Sequence, residues 1–204
     1  NDIEALRVAM DVDRWQVFGG SWGSTLALAY SQSNPDRVSE LILRGIFMLR
    51  EKELRWFYQQ GASEMFPDLW QAYLAPIPPA ERGDLLRAYY RQLTSDDATV
   101  RHIAAAAWSI WEGKTSTLMP NAKLAEEFED TKTALALARI ESHYFVNKGF
   151  MDENQLIDNV DRVRDIPTVI VQGRYDVICP VVSACELAAA CPEATLRIVP
   201  DAGH

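Results

Sequence analysis

The chain reads as an α/β protein: a parallel, doubly wound sheet interrupted by a long, all-helical insertion. Three features predict it. An apolar strand runs into Gly19-Gly20-Ser21-Trp22-Gly23 and then straight into a helix-forming segment; a second apolar strand follows that helix; and strand character, absent through the middle of the chain, returns near residue 167. Strand, helix and strand in that order imply parallel neighbours joined by a covering helix.

Residues 2 to 9 carry helical periodicity, residues 11 to 13 a turn, and Trp15 to Phe18 a buried strand. The helix after Ser21 runs to about Ser33, where Asn34-Pro35 stops it. Val38 to Ile46, carrying Leu41-Ile42-Leu43, is the second strand. From Phe47 to about Asp161, Trp, Tyr, Leu and Ala at helical spacing replace any alternation. These helices are punctuated by Pro67, by Pro76 to Pro79, by the capping cluster Ser95-Asp96-Asp97 ahead of a helix from Val100 to Trp111, and by Met119-Pro120-Asn121. A strand from Pro167 to Gln172, a helix over about Val181 to Ala190 and a strand from Ala194 to Val199 close the chain. The expected organisation is a core formed by residues 1–46 and 162–204 and a helical lid over 47–161.

The 204 residues carry a net charge of −9, which repels phosphate backbones and anionic lipid surfaces and suits a cationic substrate. Neither nucleic acid nor a membrane surface is an expected partner, and no apolar run approaches the roughly twenty residues of a membrane span. Cys179, Cys185 and Cys191 have neither disulfide-framework nor zinc-ligand spacing, so a reducing cytoplasm is the expected compartment. Asn1-Asp2-Ile3-Glu4 has no initiating Met and no basic signal-peptide start, and His204 follows directly on a strand. Both ends read as cuts through a longer protein.

A strand that ends in a strained turn and passes at once into a helix lifts a serine hydroxyl to the rim of the sheet, over the positive end of the helix. Ser21 is therefore the candidate nucleophile, and a side chain at Gly19 or Gly23 is expected to collide where the chain reverses. Serine needs a base to take its proton, usually a histidine held by a carboxylate. Of three histidines, His102 and His143 fall on lid helices. His204 follows a strand and the turn Pro200-Asp201-Ala202-Gly203, a rim position, and is the candidate base. Asp176, in Gly173-Arg174-Tyr175-Asp176 directly after a strand, is the candidate orienting acid. Ser21, Asp176, His204 is the chain order of the α/β-hydrolase arrangement. Glu112 reads as ending a helix at Trp111-Glu112-Gly113, where the helix dipole disfavours a carboxylate. Glu141 has Leu137, Ala138, Tyr144 and Phe145 as helical neighbours and so faces an apolar surface. Two such carboxylates would attract a buried ammonium; two solvated helix glutamates are the plainer alternative.

Gly19 through Tyr30, Leu43-Arg44-Gly45-Ile46-Phe47, Trp111-Glu112-Gly113, Ala138 through Phe145 and Gly173-Arg174-Tyr175-Asp176 together resemble the proline iminopeptidase family. The resemblance implies release of N-terminal proline from peptides through an acyl-enzyme, without metal or cofactor. It carries the family's triad onto Ser21, Asp176 and His204, and the glutamates that hold the substrate's imino nitrogen onto Glu112 and Glu141. It carries the aromatic wall of the proline pocket onto Phe47, Phe145 and Tyr58, with Cys179 nearby. The backbone N–H of Trp22 becomes one oxyanion donor. The family's His-Gly-Gly-Pro-Gly loop, source of a second donor, has no counterpart here, and early strands of the sheet are missing too. The strand at Trp15 to Phe18 is therefore expected as an open apolar edge, and the chain alone as weakly stable and nearly inactive. A lidded esterase or lactonase and a non-catalytic binding domain are the competing readings. A dehalogenase or epoxide hydrolase is disfavoured, because those place Asp where this chain has Ser21.

Overall fold

The computed structural model describes residues 2–119, 121 and 131–204; Pro120, in the expected break at Met119-Pro120-Asn121, lies outside them. The chain divides into two compact units, one of Asn1–Met48, Asn154–Ala202 and His204, the other of Leu49–Glu153 and Gly203.

The first unit is built on a parallel four-stranded sheet whose strands lie in the order β1 (Trp15–Gly20), β2 (Val38–Arg44), β3 (Thr168–Gly173) and β4 (Thr195–Val199). Helix α1 spans Asp2–Ala9 and α2 spans Trp22–Ser33. Asn34 ends α2 by leaving helical geometry, its N–H closing on Tyr30 C=O, and Pro35 follows where no helical N–H is available. Val38, Leu41 and Leu43 of β2, Ile170 of β3, Leu28 of α2 and Leu187 are buried together in this unit's core. Each such side chain removed from water contributes about 1.5–3 kcal/mol. Leu43 lies opposite Ile170 and Arg44, the last residue of β2, opposite Val171, so β3 runs two residues further, through Gln172 to Gly173, at the same rim. β1 continues two residues past Phe18 because Gly19 and Gly20 still pair with Leu43 and Arg44. It is an edge strand, and Phe18 is two-thirds exposed, so the expected apolar edge is present.

The second unit is helical among its described residues: α3 (Glu51–Tyr58), α4 (Pro67–Leu74), α5 (Leu85–Leu93), α6 (Ala98–Thr115) and α7 (Thr131–Val146) are its longer helices. Asp97 caps α6 by accepting the Thr99 N–H at 2.7 Å, as the Ser95-Asp96-Asp97 cluster predicts. The far end of α6 differs from expectation. Gly113 does not stop it; the Thr115 hydroxyl bonds back to Trp111 C=O at 2.7 Å and Ser116 N–H closes on Glu112 C=O at 3.0 Å. Glu112 thus lies inside the last turn. The core of this unit is aromatic: Phe57, Tyr73, Tyr89, Trp108 and Trp111 are fully buried, with Tyr73 stacked on Tyr89 at 4.6 Å and Trp70 edge-on to Trp111 at 5.0 Å.

Candidate active site

In the sheet unit, Ser21 sits at φ 56° and ψ −124°, a conformation that costs a non-glycine residue about 1–3 kcal/mol and persists only where its surroundings hold it. They do. Its N–H extends the β1–β2 ladder to Arg44 C=O at 2.9 Å, and its C=O accepts both the N–H and the hydroxyl of Ser24 at 2.8 and 2.7 Å. Gly19 makes the turn possible, since a Cβ there would lie 2.1 Å from Gly23 O and 2.8 Å from Ala27 Cβ. Gly23 departs from expectation: a Cβ there would meet nothing within 4 Å. The crowding is one-sided, because α2 presses its first turn onto Gly19 while Gly23 points away. Trp22, the expected oxyanion donor, begins α2, and its ring packs 6.5 Å from that of Phe47.

Asp176 and His204 are joined by a 2.9 Å hydrogen bond between Oδ2 and Nδ1. A carboxylate oxygen accepts from Nδ1–H, and a neutral imidazole held in this way presents Nε2 as its free lone pair, the tautomer a general base requires. Asp176 is buried and further held by the Gln172 side-chain N–H to Oδ2 at 2.9 Å and the Cys179 backbone N–H to Oδ1 at 2.8 Å. Cys179, expected beside the proline pocket, is buried, and its amide serves the acid. Gly45 has φ +56°, and a Cβ on it would lie 3.0 Å from His204 Cε1 and 3.6 Å from Asp176 Oδ2. The imidazole therefore rests against bare backbone. The consecutive residues Arg44 and Gly45 thus receive the Ser21 N–H and the His204 ring respectively. Phe47 is pinned next to them, its N–H donating to the Ser24 hydroxyl at 3.0 Å and its C=O accepting from the Thr25 hydroxyl at 2.6 Å. His102 and His143 are exposed.

In the helical unit, Glu112, Glu141, Tyr58 and Phe145 come together around Trp108. Tyr58 donates its hydroxyl proton to Glu112 Oε1 at 2.5 Å, and the Trp108 indole N–H donates to Glu141 Oε2 at 2.9 Å. Tyr58 and Trp108 stack at 4.4 Å, with Phe145 5.5 Å from the former and 6.3 Å from the latter. Burial first, and then the Glu112 charge, pushes the Glu141 carboxyl well above the usual carboxylate range, opposed by the Trp108 N–H. Burial and both carboxylates push the Tyr58 phenol up as well, keeping it a donor. Neither glutamate is a solvated helix-face residue. Two carboxylates in one apolar enclosure ionise together only at high cost, which a cation between them would remove. A cleft of about 380 Å³ in this unit reaches Tyr58 and Phe145 and is bordered by Arg55, Asp84, Arg87 and Lys148.

Sequence reasoning missed Gln172, Gly45 and Trp108 as parts of these arrangements. For Gln172 a signal exists: an amide closing the aliphatic run Thr168-Val169-Ile170-Val171 must find partners if buried. Among the described residues no three His, Cys, Asp or Glu side chains are grouped to hold a metal ion, and no helix is long and apolar enough to cross a membrane.

The profile of the alpha/beta hydrolase fold family matches residues 1–204. A probable proline iminopeptidase from Leptolyngbya boryana is 61% identical over 205 residues, covering 100% of this chain and 64% of its own length. Proline iminopeptidases from Xylella fastidiosa (strain Temecula1 / ATCC 700964) and Arabidopsis thaliana are 58% and 56% identical, again over 100% of this chain and over 65% and 54% of their own lengths. The chain spans less than two thirds of the length of these curated relatives. Among solved structures, an esterase from Exiguobacterium antarcticum matches with a TM-score of 0.64 at 19% identity, covering 100% of this chain and 64% of that one. A hydrolase from Bacillus anthracis str. Sterne matches at 0.61 and 22% identity, covering 100% and 65%. At such identities the likeness is one of fold.

Proposed function

Because this chain belongs to the alpha/beta hydrolase fold family, we propose that it carries the machinery of a serine aminopeptidase that releases N-terminal proline from peptides. The observation that carries this reading is the Glu112 and Glu141 pair enclosed by Tyr58, Trp108 and Phe145. A neutral acyl ester has no use for a buried and a half-buried carboxylate side by side, whereas a secondary ammonium does. Identities of 56–61% to proteins named proline iminopeptidases support the same choice.

In the proposed reaction His204 Nε2 takes the Ser21 proton as Oγ attacks the carbonyl of the N-terminal proline. Asp176 keeps the imidazole in its working tautomer and stabilises the imidazolium. The developing oxyanion is assigned to the Trp22 N–H at the start of α2, where the helix dipole favours negative charge. His204 then protonates the departing amine, and water, activated by the same base, hydrolyses the acyl-enzyme and frees proline. Glu112 and Glu141 hold the ammonium, so a blocked N-terminus is refused. Tyr58 and Phe145 offer flat apolar faces to the pyrrolidine ring; Phe47 and Cys179 carry the same assignment from the family resemblance.

The test compares a proline arylamide with a simple neutral ester on the whole protein. Glu112→Gln or Glu141→Gln should cut arylamide turnover by about 100-fold or more while ester turnover stays within about threefold. Equal losses on both substrates would favour a lidded esterase or lactonase. Ser21 left unlabelled by a fluorophosphonate would point to a non-catalytic domain.

A further inference from the structure

The end of an aliphatic strand is an unusual place for a buried amide. Gln172 is fully buried in β3, and each unmet polar group there would cost about 1–3 kcal/mol. None is unmet. Its Oε1 accepts the Ile46 N–H at 2.8 Å, and its Nε2 donates to Asp176 Oδ2 at 2.9 Å and to Cys179 C=O at 2.8 Å. Cys179 N–H returns to the other oxygen of Asp176. The acid is thus clamped on both oxygens by a loop that Gln172 itself closes. Ile46, the third partner, lies between Gly45, against which His204 rests, and Phe47, which is bonded to Ser24 and Thr25 of the helix that follows Ser21.

We propose that Gln172 is a positioning residue, acting through Asp176. It ties the acid to the segment 45–47 that also anchors the nucleophile's helix, and by occupying part of Oδ2 it sets how strongly the carboxylate holds the His204 N–H. A residue that merely filled space would not need three hydrogen bonds aimed at these three groups. The proposal rests on the reading of Ser21, Asp176 and His204 as a catalytic triad.

Two variants of the whole protein test it. Gln172→Met keeps the volume and loses every bond; Gln172→Glu keeps an acceptor for Ile46 N–H and loses both donors. Each should lower kcat on a proline arylamide by about 10–100-fold with KM unchanged within about twofold, the size seen when a supporting partner of a reactive group is removed. The acid limb of the kcat/KM profile should move to higher pH in both, and further in Gln172→Glu, because charge no longer shared with an amide bears more fully on His204. The downfield proton resonance of the His204–Asp176 bond should shift in parallel, and it is read without turnover. If the wild-type protein fails to hydrolyse the arylamide, the functional reading falls while the resonance still decides for or against Gln172. An unmoved acid limb and resonance, a loss confined to KM, or unfolding of both variants would overturn the proposal and leave Gln172 a packing residue.

Discussion

The Trp108 indole N–H donates to Glu141 at 2.9 Å, countering the burial and the Glu112 charge that drive this carboxyl to hold its proton. In the folded state Glu141 therefore binds a proton at pH values where the unfolded chain has released it. Stability then falls as pH rises from the ordinary glutamate value through the raised one. Glu141→Gln removes this loss while keeping an acceptor for Trp108. The melting temperature of the variant should match wild type near about pH 4 and exceed it by a few degrees near about pH 8. A variant less stable by the same margin at every pH would show that the indole bond outweighs the charge.

On the proposed reading, the same enclosure should couple amine binding to proton release. A pyrrolidinium seated against Glu112 and Glu141 favours the doubly ionised pair, so the proton held on Glu141 leaves as the ligand arrives. Calorimetry with prolinamide in two buffers of different ionisation enthalpy should detect that release near neutral pH. It should vanish in Glu141→Gln, and identical heats in both buffers for wild type would contradict the coupling.

Asp176→Asn should lower kcat by about 10³–10⁴-fold, because an amide can donate to Nδ1 and so stabilises the tautomer with its proton on Nε2. Fluorophosphonate labelling of Ser21 should slow in step. Since Gln172 and Cys179 N–H both point at this side chain, the Asn NH₂ would also meet a donor, and the variant should melt lower as well.

Gly45→Ala places a side chain at φ +56° and 3.0 Å from the His204 ring. The backbone penalty is about 1–2 kcal/mol, and the imidazole has to leave the position in which Asp176 holds it. Activity should fall by more than about tenfold even at temperatures where the protein stays folded. Unchanged kcat with lowered stability would separate the ring's placement from Gly45.

The two glycines flanking Ser21 should behave oppositely. Gly19→Ala forces a Cβ to within 2.1 Å of Gly23 O, an overlap with backbone that cannot swing aside, and should abolish folding or cost several kcal/mol. Gly23→Ala fills open space in the first turn of α2 and should be neutral or stabilising by about 0.5–1 kcal/mol in this chain. Chemical denaturation of the two variants side by side checks the contrast.

Much of the sheet unit is legible in the sequence because its signals are local. Trp15 to Phe18, the helix up to Asn34-Pro35 and the aliphatic run of β2 each declare themselves within a few residues. So does the rim position of Asp176 and His204, since both follow strands. What escaped depends on contacts between distant segments. A glycine motif does not say which glycine is crowded, and Gly23 is not. Gly113 looks like a helix stop, yet the Thr115 and Ser116 bonds and the burial of Trp111 carry α6 past it. Gln172 and Trp108 matter through Ile46 and Glu141, which lie 126 and 33 residues from them in the chain, and only Asp176 is near Gln172 in sequence.

Ile46 and Gln172 are bonded across a sequence separation of 126, and β2 and β3 pair side by side across nearly the same gap. During synthesis at about 5–20 residues per second, Leu41-Ile42-Leu43 must wait many seconds for its second neighbour. An aliphatic ribbon with one open flank is a ready partner for another nascent copy. Closure over so long a loop also makes the folding barrier high. Recovery from denaturant should therefore be slow and concentration-sensitive, and a chaperone that shields this ribbon should raise the yield.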